Sequence, residues 1–205
     1  GTHGRELWKT DGTQAGTLLV RDIQTGLGSG LASEQFNNHF ATVDNLLYFT
    51  ANDGTHGSEL WKTNGTEAGT VQVKDIVLGS GGSAGYFLTN VAGTLFFSAF
   101  TLDNFNQILG TELWRSDGTE NGTVLVKDIR LGAAGSYPRY LTNLGGKLLF
   151  VAGDGQSIAL WASDGTPGSA VKISPPSLTS LDTGSDLTVV GSNLFFVAED
   201  ATHGH

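Results

Sequence analysis

The apolar positions of this chain gather into short, nearly continuous runs instead of alternating with polar ones. Leu46-Leu47-Tyr48-Phe49-Thr50-Ala51, Thr94-Leu95-Phe96-Phe97-Ser98-Ala99, Lys147-Leu148-Leu149-Phe150-Val151-Ala152 and Asn193-Leu194-Phe195-Phe196-Val197-Ala198 are four versions of one segment. Each follows a pair of turn-forming residues, Asp44-Asn45, Ala92-Gly93, Gly145-Gly146 or Gly191-Ser192, and so predicts the second strand of a hairpin. A strand wetted on one face alternates. A run that is apolar at successive positions predicts burial on both faces, as when sheets stack against other sheets.

The rest of the chain repeats in step with these runs. Glu6-Leu7-Trp8, Glu59-Leu60-Trp61 and Glu112-Leu113-Trp114 recur, followed by the degenerate Ala159-Leu160-Trp161, so that the Trp residues lie 53, 53 and 47 positions apart. Two residues after each Trp comes a turn signal: Thr10-Asp11-Gly12-Thr13, Thr63-Asn64-Gly65-Thr66, Ser116-Asp117-Gly118-Thr119 and Ser163-Asp164-Gly165-Thr166. A third signal reads Val20-Arg21-Asp22-Ile23, Val73-Lys74-Asp75-Ile76, Val126-Lys127-Asp128-Ile129 and a worn Val171-Lys172-Ile173. One period therefore holds four short strands of about five to seven residues, separated by Gly, Asn and Asp. Helical periodicity is weak and confined to Ala32 to Phe40, in a linker five residues longer than its counterparts, where one helical turn is expected.

Four antiparallel strands per period of about 50 residues is the unit of a β-propeller blade. The fold expected is all-β, a single repeat domain over 1–205, with repeats at about 6–58, 59–111, 112–158 and 159–205 and residues 1–5 closing a preceding unit. Gly1-Thr2-His3-Gly4 matches Gly54-Thr55-His56-Gly57 and Ala201-Thr202-His203-Gly204, so the chain starts and stops at the same point of the repeat. Residues 1–23 then supply an outer strand pair and residues 186–198 an inner pair, whose pairing would close a ring of four blades and remove exposed sheet edges. Part of a larger propeller is the alternative.

On Glu-Leu-Trp, two variable positions, Asp-Gly-Thr and then Val-Lys-Asp-Ile, the chain resembles the bacterial ELWxxDGT repeat family, across essentially its whole length. The fourth copy departs from the pattern by losing the Glu and shortening the turn. The resemblance implies a propeller-like unit of a secreted or cell-surface bacterial protein, part of a larger chain or assembly, and brings no defined activity. The Asp-Gly-Thr turn also resembles the Asp-box hairpin of many propeller blades, those of sialidases included.

Composition narrows the function. Thirty glycines in 205 residues, about twice the usual share, demand frequent turns. Twenty acidic against 11 basic residues leave a net charge of −9, which opposes binding to nucleic acid or to anionic membranes. No apolar run reaches the 18 or so residues that cross a bilayer, so no membrane insertion is expected. The opening residues carry no initiator Met, basic segment or signal-like apolar segment, as in a mature or trimmed piece. Without Cys there are no disulfides, thiolate metal sites or thiol nucleophiles, and no choice of compartment follows.

The chemistry-bearing residues mostly have structural readings. Asp11, Asn64, Asp117 and Asp164 are expected to accept backbone N–H bonds in their turns, and the Asn at one copy keeps the acceptor while discarding the charge, as a catalytic acid does not. Trp8, Trp61, Trp114 and Trp161 sit beside apolar residues in strands and are expected in the core, with sugar stacking the competing reading. No cofactor is expected. Calcium is the candidate metal, at Asn52-Asp53 with His56 and Glu59, echoed by Glu199-Asp200 with His203. Unless two chains meet, a zinc shared by His3, His56 and His203 is excluded by the separation of blades, since ligand nitrogens must stand about 2.0–2.1 Å from the metal.

The five Arg residues, four at or near repeat positions, form no obvious carboxylate clamp, and no Gly-x-Ser-x-Gly, phosphate-loop or His-Glu-x-x-His motif occurs, so an enzyme is not expected. Binding is assigned to residues that break the repeat: Phe100 and Phe105 in the insert Phe100 to Thr111, and Tyr137 and Tyr140 in a linker. The partner expected at such a rim or loop surface is a protein or a glycan. Scaffolding or adhesion is the first functional reading, a glycan-binding lectin the second and a polysaccharide hydrolase the third.

Overall fold

Residues 3–31, 40–103, 105–181 and 187–200 are described by the computed structural model. Every regular element among them is a β-strand. The first two, β1 (Leu7–Lys9) and β2 (Leu18–Arg21), form a two-stranded antiparallel sheet. Three four-stranded antiparallel sheets follow, each a simple up-and-down meander. They are β3 (Phe40–Val43), β4 (Leu46–Asn52), β5 (Ser58–Thr63) and β6 (Val71–Lys74); β7 (Tyr86–Val91), β8 (Thr94–Leu102), β9 (Ile108–Ser116) and β10 (Val124–Lys127); and β11 (Arg139–Leu144), β12 (Lys147–Gly153), β13 (Ile158–Ser163) and β14 (Val171–Lys172). The helical turn expected at Ala32 to Phe40 falls on residues outside the described set, apart from Phe40, which opens β3.

Three of the four continuous apolar runs become the second strand of a four-stranded sheet, and their neighbours explain the pattern; the fourth, 193–198, is split between β-strands Asn193–Phe195 and Ala198–Asp200, with Phe195 and Val197 exposed. Side chains alternate faces along a strand. Phe49 on β4 therefore packs back against Leu7, Val20 and Ile23, whereas Tyr48 packs forward with Leu88, Leu95 and Phe97. On β8, Phe97 faces back to Leu60 and Val73, and Phe96 faces forward to Leu148, Phe150 and Trp161. Each sheet is thus a slab with an apolar side on both faces, and three junctions follow one another along the chain.

The last copy departs from the rule. Its strands form two small sheets, β15 (Leu178–Leu181) with β18 (Ala198–Asp200), and β16 (Thr188–Val190) with β17 (Asn193–Phe195). Leu181, Leu187, Leu194, Phe196 and Ala198 cover Val151 on β12 and Leu160 on β13, the two middle strands of the third four-stranded sheet.

Two expectations are corrected. The pairing of residues 1–23 with 186–198 is not formed among the described residues, because β1 and β2 pair only with each other and β18 takes β15 as its partner. Trp8 is exposed while Trp61, Trp114 and Trp161 are buried, since each buried Trp has an earlier sheet against it and Trp8 has none among the described residues.

Candidate functional site

The Glu of each Glu-Leu-Trp is the most enclosed acid of its repeat. Glu59 and Glu112 are fully buried and Glu6 nearly so. Each points into the linker that leads to the next sheet. Glu59 accepts the N–H of Ile76 (3.2 Å), Val77 (3.2 Å) and Ser83 (2.9 Å) and the hydroxyl of Ser83 (2.5 Å). Glu112 accepts the N–H of Ile129 (3.1 Å) and Ser136 (2.6 Å) and the hydroxyl of Ser136 (2.5 Å). Glu6 does the same with the N–H of Ile23 (3.0 Å), Gln24 (3.3 Å) and Gly30 (2.8 Å).

The residue that Glu grips also ties down the following sheet. The carbonyls of Gly30, Ser83 and Ser136 accept the N–H of Asn52 (2.8 Å), Phe100 (2.9 Å) and Gly153 (2.9 Å). Glycine is required where the linker touches the start of the Glu strand. A Cβ on Gly57 (φ +69°) would stand 2.5 Å from the Gly82 nitrogen, and one on Gly110 (φ +79°) 2.4 Å from the Gly135 Cα. Burial pushes Glu112 up to about 7, against the bonds that favour its carboxylate, and moves Glu59 in the same direction.

Cations make a second set of links across the junctions. Lys9 and Lys62 donate to the carbonyls of Gly65 (2.7 Å) and Gly118 (2.8 Å), the turn glycines of the next sheet. Arg21, Lys74 and Lys127 donate to the carbonyls of Thr70 (2.5 Å), Thr123 (3.0 Å) and Ala170 (2.8 Å). Arg21 and Lys127 also lie over the rings of Trp61 and Trp161, 5.8 Å from each centroid. In the last copy Ala162 replaces the first cation. Ile173 and Ser174 both donate to the Leu160 carbonyl, so Ser174, and not Lys172, stands where Lys127 stands in the copy before. Lys172 lies opposite Trp161 and binds Asp154 (3.2 Å) and Ser157 (2.7 Å) of its own sheet.

The turn acids have local partners. Oδ1 of Asp11 accepts the N–H (2.9 Å) and hydroxyl (2.7 Å) of Thr13, and Asp117 and Asp164 repeat this with Thr119 and Thr166. Asn64 makes the same two bonds to Thr66. These bonds hold Asp11 and Asp117 below the usual carboxylate range, and Asp164 at about 2.

The proposed metal residues are engaged in another turn. Oδ1 of Asp53 accepts from Thr55 and His56 backbone N–H, and its Oδ2 meets His56 Nδ1 at 2.7 Å. Burial alone would raise Asp53, but these bonds outweigh it and hold the acid low, while the Asp53 contact raises His56. Asp200 lies in β18, and His203 lies outside the described residues. One oxygen each of Asp22, Asp75 and Asp128 is enclosed with no protein partner, yet among the described residues no three His, Asp or Glu converge as a metal site.

The aromatic candidates divide. Phe105 and Tyr137 are exposed. Phe100 is half-buried and pairs with Thr111, whose carbonyl accepts the Tyr137 N–H at 3.0 Å, so the insert and the linker meet at that residue. Tyr140 packs on Phe87, with ring centroids 6.1 Å apart. Phe87 and Tyr140 occupy the same bulge of β7 and β11 with φ of 56° and 55°, and Tyr137 has φ of 50°. Bulky residues rarely hold such angles.

A cleft of about 340 Å³ opens between β1–β2 and the next sheet, lined by Lys9, Val20, Asp44, Asn45, Leu46 and Asn64 among others. At the later junctions the corresponding space over the turn glycine is filled, by Tyr48 against Gly118 and by Phe96 against Gly165. Those rings come from second strands, and the first sheet has only its outer pair among the described residues. Among the described residues, the cleft lies at the position that a second-strand ring fills at the later junctions.

No protein-family model matches the sequence, and no curated protein matches it. Among solved structures, the chain is similar to a puromycin hydrolase mutant complexed with PGG, at 17% identity and a TM-score of 0.54 over 91% of this chain. It spans 27% of that protein's length. The likeness is one of fold.

Proposed function

We propose that the chain is a non-catalytic β-propeller module of ELWxxDGT-type repeats, serving as a scaffold or adhesion element outside a bacterial cell or on its surface. One observation carries this reading: most of the acids and cations that might do chemistry make the same structural bonds in copy after copy. Glu59 and Glu112 hold linkers, the turn acids hold turns, and the lysines join sheets. The sheet order and the fold-level likeness agree with propeller blades, and hydrolysis belongs to the neighbour's name alone.

The test is to incubate the purified chain with polysaccharide and chromogenic hydrolase substrates, and in parallel with immobilised glycans and bacterial surface proteins. The scaffold reading expects retention on a surface and no turnover above blank. Turnover would overturn it. Glycan binding is the second reading, favoured by the exposed Phe105 and Tyr137 on segments that meet at Thr111. It expects Phe105→Ala to lose glycan retention with an unchanged melting temperature.

A further inference from the structure

The strands of the three four-stranded sheets end in two unlike surfaces. In an up-and-down meander the first and third turns lie at one end of the sheet, and the second turn lies at the other with the linker to the next sheet. At the first end stand Asp44-Asn45, Ala92-Gly93 and Gly145-Gly146, with the turns that Asn64, Asp117 and Asp164 open. None of the large apolar side chains exposed among the described residues lies in these turns.

The linker end is the reverse. Leu78 and Leu131 occupy the same position of two successive linkers and are 79% and 85% exposed. Between those linkers runs the insert joining β8 to β9, whose Phe105 is 82% exposed and whose Ile108 is half-exposed, and exposed Tyr137 follows in the second linker. The segments are tied together. At one base of the insert the Phe100 N–H donates to the Ser83 carbonyl (2.9 Å), and at the other the Thr111 carbonyl accepts the N–H of Ser136 (3.1 Å) and of Tyr137 (3.0 Å). Linker, insert and linker thus make one surface in the middle of the chain.

The turns themselves do not demand these side chains. Gly79 and Gly132, at φ of 81° and 90°, bend the chain directly after each Leu, but the first linker carries Thr25 at the same point, ahead of Gly26 at φ of 90°. Each apolar residue also follows an acid. Asp75 and Asp128 stand three positions before the leucines and Asp103 two before Phe105, and none of the three forms an ion pair among the described residues. Arg130 is the one cation in residues 75–85, 100–111 and 128–138, and it lies along the next sheet, where a Cβ on Gly155 would stand 3.3 Å from its Nε.

We propose that this linker end is a docking surface for a protein segment that presents apolar side chains flanked by Lys or Arg. Leu78, Phe105 and Leu131 meet its apolar side, and the uncompensated carboxylates of Asp75, Asp103 and Asp128 face its cations. The leucines offer a sugar neither a ring to stack on nor a hydrogen bond, and the acids repel anionic lipid. The inference names the partner of the binding module proposed above and rests on that reading.

The experiment is fluorescence anisotropy of a labelled synthetic peptide with leucines and lysines at helical spacing, titrated with the whole chain. Two control peptides carry glutamate for lysine or serine for leucine. The leucine–lysine peptide is expected to bind, and each control to bind at least about tenfold more weakly. Leu78→Ser and Leu131→Ser, at exposed positions whose folding is checked by circular dichroism, are each expected to weaken binding roughly tenfold. Asp103→Asn is expected to weaken it about threefold, less so as salt rises. Glu120→Gln, at the opposite end of the strands, is expected to change nothing.

Equal binding of the three peptides, or leucine variants that bind like wild type, would overturn the proposal. So would an unbound peptide combined with retention on phosphatidylcholine vesicles, retention on immobilised glycans or self-association in sedimentation that Leu131→Ser abolishes, since the occupant would then be lipid, glycan or a second copy. Turnover of hydrolase substrates would sink the non-catalytic reading while leaving the dependence of peptide binding on Leu78 and Leu131 to be read separately.

Discussion

The junction after the second four-stranded sheet and the face after the third present the same kind of strand with opposite outcomes. At the first, Glu112 grips Ser136, Lys127 reaches the Ala170 carbonyl, and Val126 is buried beneath Trp161. At the second, Ala159 replaces the Glu, Ala162 and Ser174 replace the cations, and Val171 and Ile173 are exposed. The losses occur together. A Glu without linker donors would be a buried unpaired charge, and a Lys without a following turn would have no acceptor, so neither is useful once the other side is gone. The junction is one unit of apolar contact, buried acid and cation, and the repeat motif is its signature.

The largest test of that contrast exchanges nothing but the Trp. Trp114→Ala removes a ring packed among Leu60, Val73 and Phe97 and is expected to cost about 3–5 kcal/mol in urea denaturation. Trp8→Ala, measured in dilute solution, is expected within about 0.5 kcal/mol of wild type. Equal losses would mean that Trp8 is covered in solution.

Exchanging the acid gives the next effect. Glu59→Ala orphans the N–H groups of Ile76, Val77 and Ser83 and is expected to cost about 1–3 kcal/mol by the same measurement. Ala159→Glu is expected to destabilise as well, because it buries a carboxylate where no linker donors wait. If Ala159→Glu stabilised the chain, the last copy would hold a latent version of the same linker.

These contrasts also mark what was legible from the residues. The doubly apolar runs at 46–51, 94–99 and 147–152 are strands with two buried faces because each lies between two packed sheets. Repetition of Glu-Leu-Trp located the buried acids without revealing their task, since the partners are backbone N–H groups 17 to 24 residues away that carry no sequence mark. Two signals were available: the Glu disappears in the one copy whose linker runs through Pro175-Pro176, and Ser83 and Ser136 recur at one offset from it. The exposure of Trp8 was not legible, because identical residues in identical strands differ only in whether another sheet lies against them.

A pH series sharpens the account of Glu112. The folded chain holds its proton up to about pH 7, whereas an unfolded chain releases it near 4.5. Between these values the folded state binds more protons, so this group's contribution to stability is complete in acid and is lost as pH rises to about 7. Turn acids such as Asp164 act oppositely, and the readout is therefore the difference between wild type and Glu112→Gln. Wild type is expected to lose stability relative to the variant from pH 4.5 to 7. A flat difference would show that the linker donors cancel the effect of burial.

The smallest effect concerns the turns, where the same bonds occur in a well-packed copy with and without a charge. Asp117 takes the Thr119 N–H and hydroxyl at 2.8 and 2.7 Å, and Asn64 takes those of Thr66 at 3.0 and 2.7 Å. One acceptor oxygen does the work in both, on a surface where water screens the charge. Asp117→Asn should therefore change stability by no more than about 0.5 kcal/mol in urea denaturation. Asp117→Ala removes the acceptor, frees the turn from Thr119 and should cost about 1 kcal/mol. If the Asn variant lost as much as the Ala variant, the charge itself would be needed at Asp117, as it is not at Asn64, and the turns would no longer be equivalent parts of one repeat.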